Sequence, residues 1–227
     1  MRTAPSLIAL ASILAACSPQ PKPKPAEAPK AAAAASAAAQ APADAPAGAY
    51  RMDLSHTSVN FRLSHLGLSH YTARFTRADG KLTFDPANPM AQSITATIDA
   101  GSLQTNYPDP AQLDFDSQVE KEFLEAAKFP QITFTSTKVE PTGPRTARVT
   151  GDLTLHGATK PVTLEATFNG GYKAGGMDPM GARVGFSAKG TLKRSDFGIS
   201  YGIPAPGTTL GVGDEIEVTI ESEFTKK

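Results

Sequence analysis

The sequence predicts an all-β domain of antiparallel strands, each with one buried face and one face in water. The clearest observation is in residues 50–84, where Val59, Phe61 and Leu63 are separated by single polar residues. A period of two is the pattern of a sheet that is wetted on one side. The same alternation returns along the chain as far as Phe224, which extends the prediction to the whole region after residue 50.

The second observation is a turn signal at Asp79-Gly80, after which alternation resumes from Lys81 to Phe84. Apolar residues then recur at alternate positions in six later stretches: Ile94, Ala96 and Ile98; Ile132 and Phe134; Val149, Gly151, Leu153 and Leu155; Val162, Leu164, Ala166 and Phe168; Val184, Phe186, Ala188 and Leu192; Ile216, Val218, Ile220 and Phe224. Alternation alone leaves a closed barrel and a two-layer sandwich both open, because either buries one face of every strand.

One helix is predicted between the strands. Phe115, Val119, Phe123 and Ala127 recur every four residues, and Phe129-Pro130 ends the pattern. Asp116 or Ser117 is available as the N-cap residue. We expect this helix to lay its apolar stripe across one mouth of the β-structure.

The N-terminal segment predicts export and membrane anchoring. Residues 1–16 combine a cation, Arg2, with an apolar run that is too short for a permanent transmembrane helix, which indicates a secretory signal peptide. Leu14-Ala15-Ala16-Cys17 fits the lipobox of bacterial lipoproteins, so we expect Cys17, the single cysteine, to carry the lipid. An ordinary signal peptide that is cleaved elsewhere is the alternative.

The segment that follows is expected to be a tether. Residues 17–49 are rich in Ala, Pro and Lys and contain little that could be buried. Ser18, rather than Asp, after the cysteine indicates retention at the outer membrane. The predicted organisation is therefore a signal peptide over 1–16, a lipidated tether over 17–49 and one periplasmic domain over 50–227.

Charge excludes one class of partner. Of the 22 basic and 22 acidic residues, all but four basic and two acidic ones lie from residue 50 onward, so the domain is near neutral. A near-neutral domain without basic clusters is not expected to bind nucleic acid.

Five stretches together resemble a known family. DLSHTSVNFRLSHLG with ARFTRADGKLTFDP, ITATIDAGSLQT, KFPQITFTSTKVE, GDLTLHGATKPVTL and LKRSDFGIS are similar, in this order, to the YceI-like domain of bacterial periplasmic proteins. The resemblance covers nearly all of residues 50–227. It implies a roughly eight-stranded antiparallel, lipocalin-like barrel with the helix near one mouth.

The resemblance also implies that the barrel lumen binds, stores or transports a long-chain isoprenoid or similar amphiphilic lipid. A solid core and a lumen use the same apolar residues, so the lumen is implied by the resemblance and not by the pattern. The residues expected to line it are Phe61, Leu63, Leu66, Phe75, Phe84, Ile98, Phe123, Phe134, Leu153 and Phe186.

Two polar residues that match the family's motifs are expected at the lipid head group: His65 and Arg194. A guanidinium suits phosphate or carbonyl oxygens. The alternative for Arg194 is a local ion pair beside Asp196 in an exposed turn.

The remaining histidines do not predict a metal site. His56, His65 and His70 are separated by odd offsets that place neighbours on opposite faces of a continuous strand, and no cysteine accompanies them. His156 is expected in a turn or at the surface. We therefore expect no metal and no other cofactor.

Nothing in the sequence resembles a catalytic motif, so a non-enzymatic role is expected, in a monomer or homodimer. Two other functions remain open. One is an envelope stress or protein-interaction module in which a lumenal lipid is merely structural. The other is an enzyme acting on an isoprenoid quinone precursor, for which His65 or Arg194 would be required.

Overall fold

The computed structural model describes residues 43–175 and 181–226, in which ten strands form one closed antiparallel sheet. The strands are β1 (Gly48–His65), β2 (Ser69–Phe75), β3 (Ala78–Phe84), β4 (Ser93–Asp99), β5 (Leu103–Gln104), β6 (Gln131–Pro141), β7 (Thr146–Leu155), β8 (Ala158–Tyr172), β9 (Ala182–Lys193) and β10 (Val212–Lys226). Single helical turns lie at Pro89–Ala91, Ala100–Ser102 and Arg194–Phe197, and one α-helix, α1 (Phe115–Gln118), continues as a π-turn over Val119–Phe123.

The ten strands occupy eight positions around the barrel, because two positions are each filled by a kinked pair. β2 and β3 both pair with β1, and β4 and β5 continue one another in the same way across the turn at 100–102. With each pair counted once, neighbours in sequence are neighbours in the sheet, and β10 closes the barrel against β1. The predicted barrel of roughly eight antiparallel strands with one helix is confirmed.

The first hairpin turn is not where the sequence predicts it. Asp79 and Gly80 lie inside β3 and pair with Thr97 and Ala96. The surroundings of Gly80 are tight, since a Cβ there would lie 2.8 Å from the Cε atom of Met52 and 3.2 Å from the backbone oxygen of Thr95. The chain instead turns at residues 66–68, where Leu66 and Gly67 have φ values of 55° and 69°.

The barrel has two unlike ends. The connections at 66–68, 105–130, 156–157 and 194–211 lie at one end, here called the helix end. The connections at 85–92 and 142–145 and both chain termini of the barrel lie at the other, here called the termini end. A buried cluster around Tyr50, Phe84 and Val184 packs toward the termini end, and a second around Ile132 and Phe197 packs toward the helix end.

The barrel begins earlier than the sequence predicts. β1 starts at Gly48, and Ala45 is buried against Val184 in the cluster at the termini end, so the last residues of the expected tether belong to the domain. The expected signal peptide over 1–16, the expected lipidation site Cys17 and the tether as far as residue 42 lie outside the described residues. Among the described residues, no helix has the length and apolar character needed to cross a membrane.

Candidate binding cavity

A cavity of about 1060 Å³ lies along the inside of the barrel. Its lining comes from strands at all eight positions and extends from Arg145 and Thr146 at the termini end to His65 and Phe123 at the helix end. The lining is almost entirely apolar because the inward positions of the alternating strands all face it. Its volume of about 1060 Å³ lies just above the usual range for small-molecule sites, about 300–1000 Å³.

Small inward residues keep the barrel hollow. Ala147 pairs with Ala166 across β7 and β8, and Ala166 pairs with Ala188 across β8 and β9, which sets three methyl groups side by side on the wall. Ala73, Ala78 and Ala96 line the opposite wall. A methyl group reaches a short way into the interior, so these positions leave space that larger side chains would fill.

Aromatic rings enclose the cavity toward the termini end. Phe186 lies 5.4 Å from Phe168 and 6.2 Å from Phe224 between ring centroids, and Phe84 lies 5.6 Å from Phe168. These spacings are typical of packed aromatic pairs. Nine of the eleven phenylalanines of the chain line the cavity.

Nine of the ten residues expected at the lumen lie on the cavity wall: Phe61, Leu63, Phe75, Phe84, Ile98, Phe123, Phe134, Leu153 and Phe186. Leu66 is the exception. It occupies the turn after β1 in a left-handed conformation with its side chain exposed, and it does not line the cavity. The structure places Leu66 away from the cavity wall because the strand ends at His65 and the alternation stops there.

Further wall residues are not in the set expected to line the lumen, although some of them belong to the alternating stretches. Leu164, Phe168, Val218 and Phe224 stand on the inward parity of their strands and line the cavity. Tyr71 and Tyr107 also line it, and both rings pack against Phe115 at 5.8 Å and 5.9 Å. Tyr71 shares the inward parity of Ala73 and Phe75 in β2, whereas Tyr107 lies outside the strands, so alternation does not reveal its position.

The helix lies across one mouth of the cavity. Phe115, Val119 and Phe123 face the interior. The π-turn, with Leu124 N donating to Val119 O, suits their spacing of four residues better than a regular α-helix of 3.6 residues per turn. The predicted helix is shorter than expected, since it ends at Phe123 and Ala127 is exposed.

Carboxylates of the helix attach it to the edge of β5. Asp116 accepts hydrogen bonds from the backbone N–H of Thr105, at 2.7 Å, and from its hydroxyl. Glu120 accepts one from the backbone N–H of Leu103 at 3.1 Å. Asp116 is thus not the N-cap. That role belongs to Asp114, whose side chain accepts from Ser117 N and whose pKa is lowered by these hydrogen bonds.

The two expected head-group residues lie at the helix end of the cavity. His65 is the last residue of β1, is exposed and lines the mouth. Arg194 also lines the cavity but is buried, with 5% of its surface exposed. Burial lowers the pKa of Arg194, opposed by the nearby charge of Asp214.

The guanidinium of Arg194 is held by the backbone. Its Nε donates to Gly213 O at 2.9 Å, its Nη1 to Ile199 O at 3.1 Å and its Nη2 to Val212 O at 2.7 Å. The expected ion pair with Asp196 is not what positions it. Arg194 ties the 194–211 connection to the start of β10, and its contact with a head group remains a prediction.

His156 lies in a turn, as expected, and is half-buried there. It lies in the two-residue turn between β7 and β8 with a φ of 51°. Its Nδ1 lies 3.0 Å from Phe197 O and its Nε2 lies 2.7 Å from the Glu125 carboxylate, so it connects three segments at the helix end.

One cluster of possible metal ligands occurs among the described residues: Asp53, His56 and Glu223, with ligand atoms within 4.8 Å of one another. The guanidinium of Arg183 lies among them, 2.7 Å from the Asp53 carboxylate and 2.6 Å from that of Glu223. Hydrogen bonds from His56 and Arg183 lower the pKa of Asp53 from 3.8 to about 2. The cluster is therefore an ion-pair network organised around an arginine.

Comparison with protein families gives a match to the YceI-like domain over residues 50–224. A UPF0312 protein of Pseudomonas syringae pv. tomato is 43% identical over 168 residues, which cover 73% of this chain and 80% of that protein.

Solved structures show the same barrel. The YceI protein of Campylobacter jejuni aligns with a TM-score of 0.60 at 30% identity, covering 72% of this chain and 90% of that one. A domain of Saccharophagus degradans described as polyisoprenoid binding, and as implicated in plant cell wall breakdown, aligns with a TM-score of 0.58. Its identity is 14%, with 78% of this chain and 98% of that one covered, so this likeness concerns the fold.

Proposed function

The chain belongs to the YceI-like family, and we propose that it binds, stores or transports a long-chain isoprenoid or similar amphiphilic lipid inside its barrel. The observation that carries the proposal is the apolar cavity of about 1060 Å³ along the barrel interior. The polyisoprenoid-binding description of the Saccharophagus degradans domain, which has the same fold, supports the ligand class.

The energetics define what such a site must do. Burial of each CH2 group contributes about 0.8 kcal/mol relative to water, yet a bilayer offers the same gain. Apolar burial alone therefore does not extract a lipid from a membrane. Preference must come from the fit of the aromatic wall around Phe84, Phe168 and Phe186 and from polar contacts at a mouth.

The proposal includes a location. We infer that residues 1–16 direct export, that Cys17 carries the lipid anchor, and that the domain lies in the periplasm beside the outer membrane. The role is binding without catalysis. A tethered carrier near the bilayer with which it exchanges is the arrangement these features favour.

Native mass spectrometry of the protein isolated from its own host tests the proposal. We expect an added mass corresponding to a bound isoprenoid or similar lipid, together with uptake of an added polyprenyl alcohol. Protein that carries no lipid and takes up none would contradict the proposal.

Exchange with vesicles then separates a carrier from a module with a structural lipid. Bound lipid that exchanges with vesicles within hours supports storage or transport. Lipid that remains bound after that time supports the structural alternative.

A further inference from the structure

Exposed apolar side chains collect at the helix end of the barrel. Seven large apolar residues are exposed in the described part of the chain, and five of them lie in connections at this end. These five, here called the apolar rim, are Leu66, Leu68, Leu113, Tyr201 and Leu210. Leu68 is 84% exposed, Leu210 77% and Tyr201 73%, so the described residues leave them almost uncovered.

The connections that carry the apolar rim are bonded to one another. Leu66 N donates to Gly211 O at 2.7 Å, and Val212 N donates to Gly202 O at 2.7 Å. The ring of Tyr201 stacks on Phe123 of the helical segment with centroids 5.1 Å apart. The rim is therefore a single surface held by backbone hydrogen bonds and ring stacking.

Charged residues are absent from most of the 194–211 connection, which carries Tyr201 and Leu210 of the rim. Residues 197–213 contain no Asp, Glu, Lys, Arg or His, although charged residues make up 19% of the chain. The outer wall of the barrel, by contrast, carries exposed ion pairs such as Arg51–Asp79 and Arg148–Glu165. Transfer of this stretch, with Tyr201 and Leu210, to an apolar medium therefore requires no desolvation of a charged side chain within it.

The apolar rim is continuous with the cavity. Leu113 and Tyr201 belong to the rim and also line the cavity, and His65, next to Leu66, stands at the same mouth. An apolar path thus leads from the rim into the barrel. A lipid tail that follows this path stays out of water during its transfer.

We propose that the apolar rim docks on the surface of a lipid bilayer and opens the cavity toward the acyl chains. This inference rests on the proposed function, because it names the route by which the cargo enters. Leucines with a tyrosine suit the boundary between head groups and acyl chains. The uncharged stretch 197–213, which carries Tyr201 and Leu210, matches a membrane better than a protein partner recognised through charge pairs.

The segment that precedes the described residues is long enough for the apolar rim to face the bilayer in which Cys17 is anchored. The described chain starts at Ala43, which pairs with Gly171 at the termini end, opposite the rim. The segment between Cys17 and Ala43 spans roughly 80 Å when fully extended. The 18 residues of β1 span at most about 60 Å along the strand. A domain anchored at Cys17 can therefore turn its helix end to the same bilayer.

Tryptophan fluorescence provides the test, because the chain contains no tryptophan. We compare Leu210→Trp with Met90→Trp in the full chain. Met90 is the matched control, since it is 70% exposed and lies in the 85–92 connection at the termini end. The probe is a phosphatidylcholine vesicle with or without brominated acyl chains.

The expected result is a blue shift and about twofold stronger quenching by the brominated lipid for Leu210→Trp than for Met90→Trp. Equal quenching of the two would overturn the inference. A blue shift of Leu210→Trp that appears only after addition of envelope proteins, and not with vesicles, would overturn membrane docking in favour of a protein partner.

A transfer assay connects the rim to loading. The double variant Leu68→Asp, Leu210→Asp is expected to take up lipid from vesicles about tenfold more slowly, since each leucine loses its apolar contact with the bilayer. Met90→Asp should transfer at the unaltered rate. Unchanged transfer in the double variant would refute docking.

Native mass spectrometry of the same samples separates the two proposals. If the unaltered protein contains lipid but Leu210→Trp and Met90→Trp are quenched equally, the docking proposal fails and the proposed function stands. If the unaltered protein contains and acquires no lipid, the proposed function fails, and the quenching result still reports on the rim.

Discussion

At the scale of single residues, the Asp53 carboxylate joins three parts of the barrel wall. It accepts from Arg183 of β9 and lies 2.9 Å from His56 in the irregular part of β1. Arg183 also binds Glu223 of β10. The irregularity between Asp53 and Ser58 moves the inward parity of β1 from Met52 to Val59, so this network stabilises the strand where its alternation changes.

The lowered pKa of Asp53 predicts a pH dependence of stability. Because the folded-state pKa of about 2 lies below the usual 3.8, the contribution is present above pH 4 and is lost as the pH falls toward 2. The difference corresponds to at most about 2 kcal/mol. Denaturant unfolding at pH 6 and pH 2.5 should show that Asp53→Asn flattens this acid loss.

The control for this measurement is Asp79→Asn, which breaks an exposed pair with Arg51. Exposed pairs contribute about 0–1 kcal/mol, so its acid loss should resemble that of the unaltered protein. If Asp53→Asn loses as much unfolding free energy between pH 6 and pH 2.5 as the unaltered protein, the loss does not come from the lowered pKa of Asp53.

Arg194 provides a second prediction at this scale. Replacement by Met removes the guanidinium that donates hydrogen bonds to three backbone carbonyl oxygens. Because Arg194 is buried, these oxygens would be left without a donor, and the free energy of unfolding should fall by about 3 kcal/mol. Arg62→Met is the control, because Arg62 pairs with Glu217 on the exposed wall. Chemical denaturation measures both.

Lipid binding in the same variants distinguishes the two roles of Arg194. A stable Arg194→Met protein that no longer binds lipid would contradict the structural role and favour the head-group role.

At the scale of elements, the helical segment 115–123 occupies the place where a strand neighbour of β5 would be. Asp116 and Glu120 accept the N–H groups of Thr105 and Leu103, which β6 does not reach because its pairing with β4 begins at Gln131. Side-chain carboxylates thus complete the sheet edge and hold the helix over the cavity mouth. The cover and the wall are linked by the same two side chains.

This linkage predicts a local effect. Asp116→Ala with Glu120→Ala should leave two backbone N–H groups without acceptors and raise amide hydrogen exchange at Leu103 and Thr105 by about tenfold or more. Glu122→Ala is the control, since Glu122 accepts only from the exposed Gln118 among the hydrogen bonds described. Equal exchange in both variants would show that the carboxylates do not hold the helix.

Part of the cavity wall can be predicted from the sequence, and part of it cannot. Alternation locates the wall because a residue such as Phe134 or Leu153 must face inward wherever its strand is regular. The sequence pattern fails at Leu66, where φ is positive, and at Asp79-Gly80, where pairing with Thr97 and Ala96 of β4 continues the strand. The contacts of Arg194 and Asp116 join segments distant in sequence, so no local pattern could predict them.

At the scale of the whole molecule, the hollow interior is what separates this barrel from one with a solid core. Composition predicts an apolar interior but does not show whether it is empty, since phenylalanines can fill a solid core or line a lumen. The emptiness depends on the register that brings Ala147, Ala166 and Ala188 together on one wall. The binding proposal therefore depends on positions that carry the smallest side chains.

The most direct measurement is lipid occupancy of Ala166→Phe, which places a ring in the lumen, beside Thr167→Phe, which places the same ring on the exposed face of β8. Native mass spectrometry after incubation with a polyprenyl alcohol is the readout. We predict that Ala166→Phe remains folded and loses at least about tenfold in occupancy, while Thr167→Phe binds like the unaltered protein. Full occupancy of folded Ala166→Phe would contradict the assignment of the lumen as the binding site.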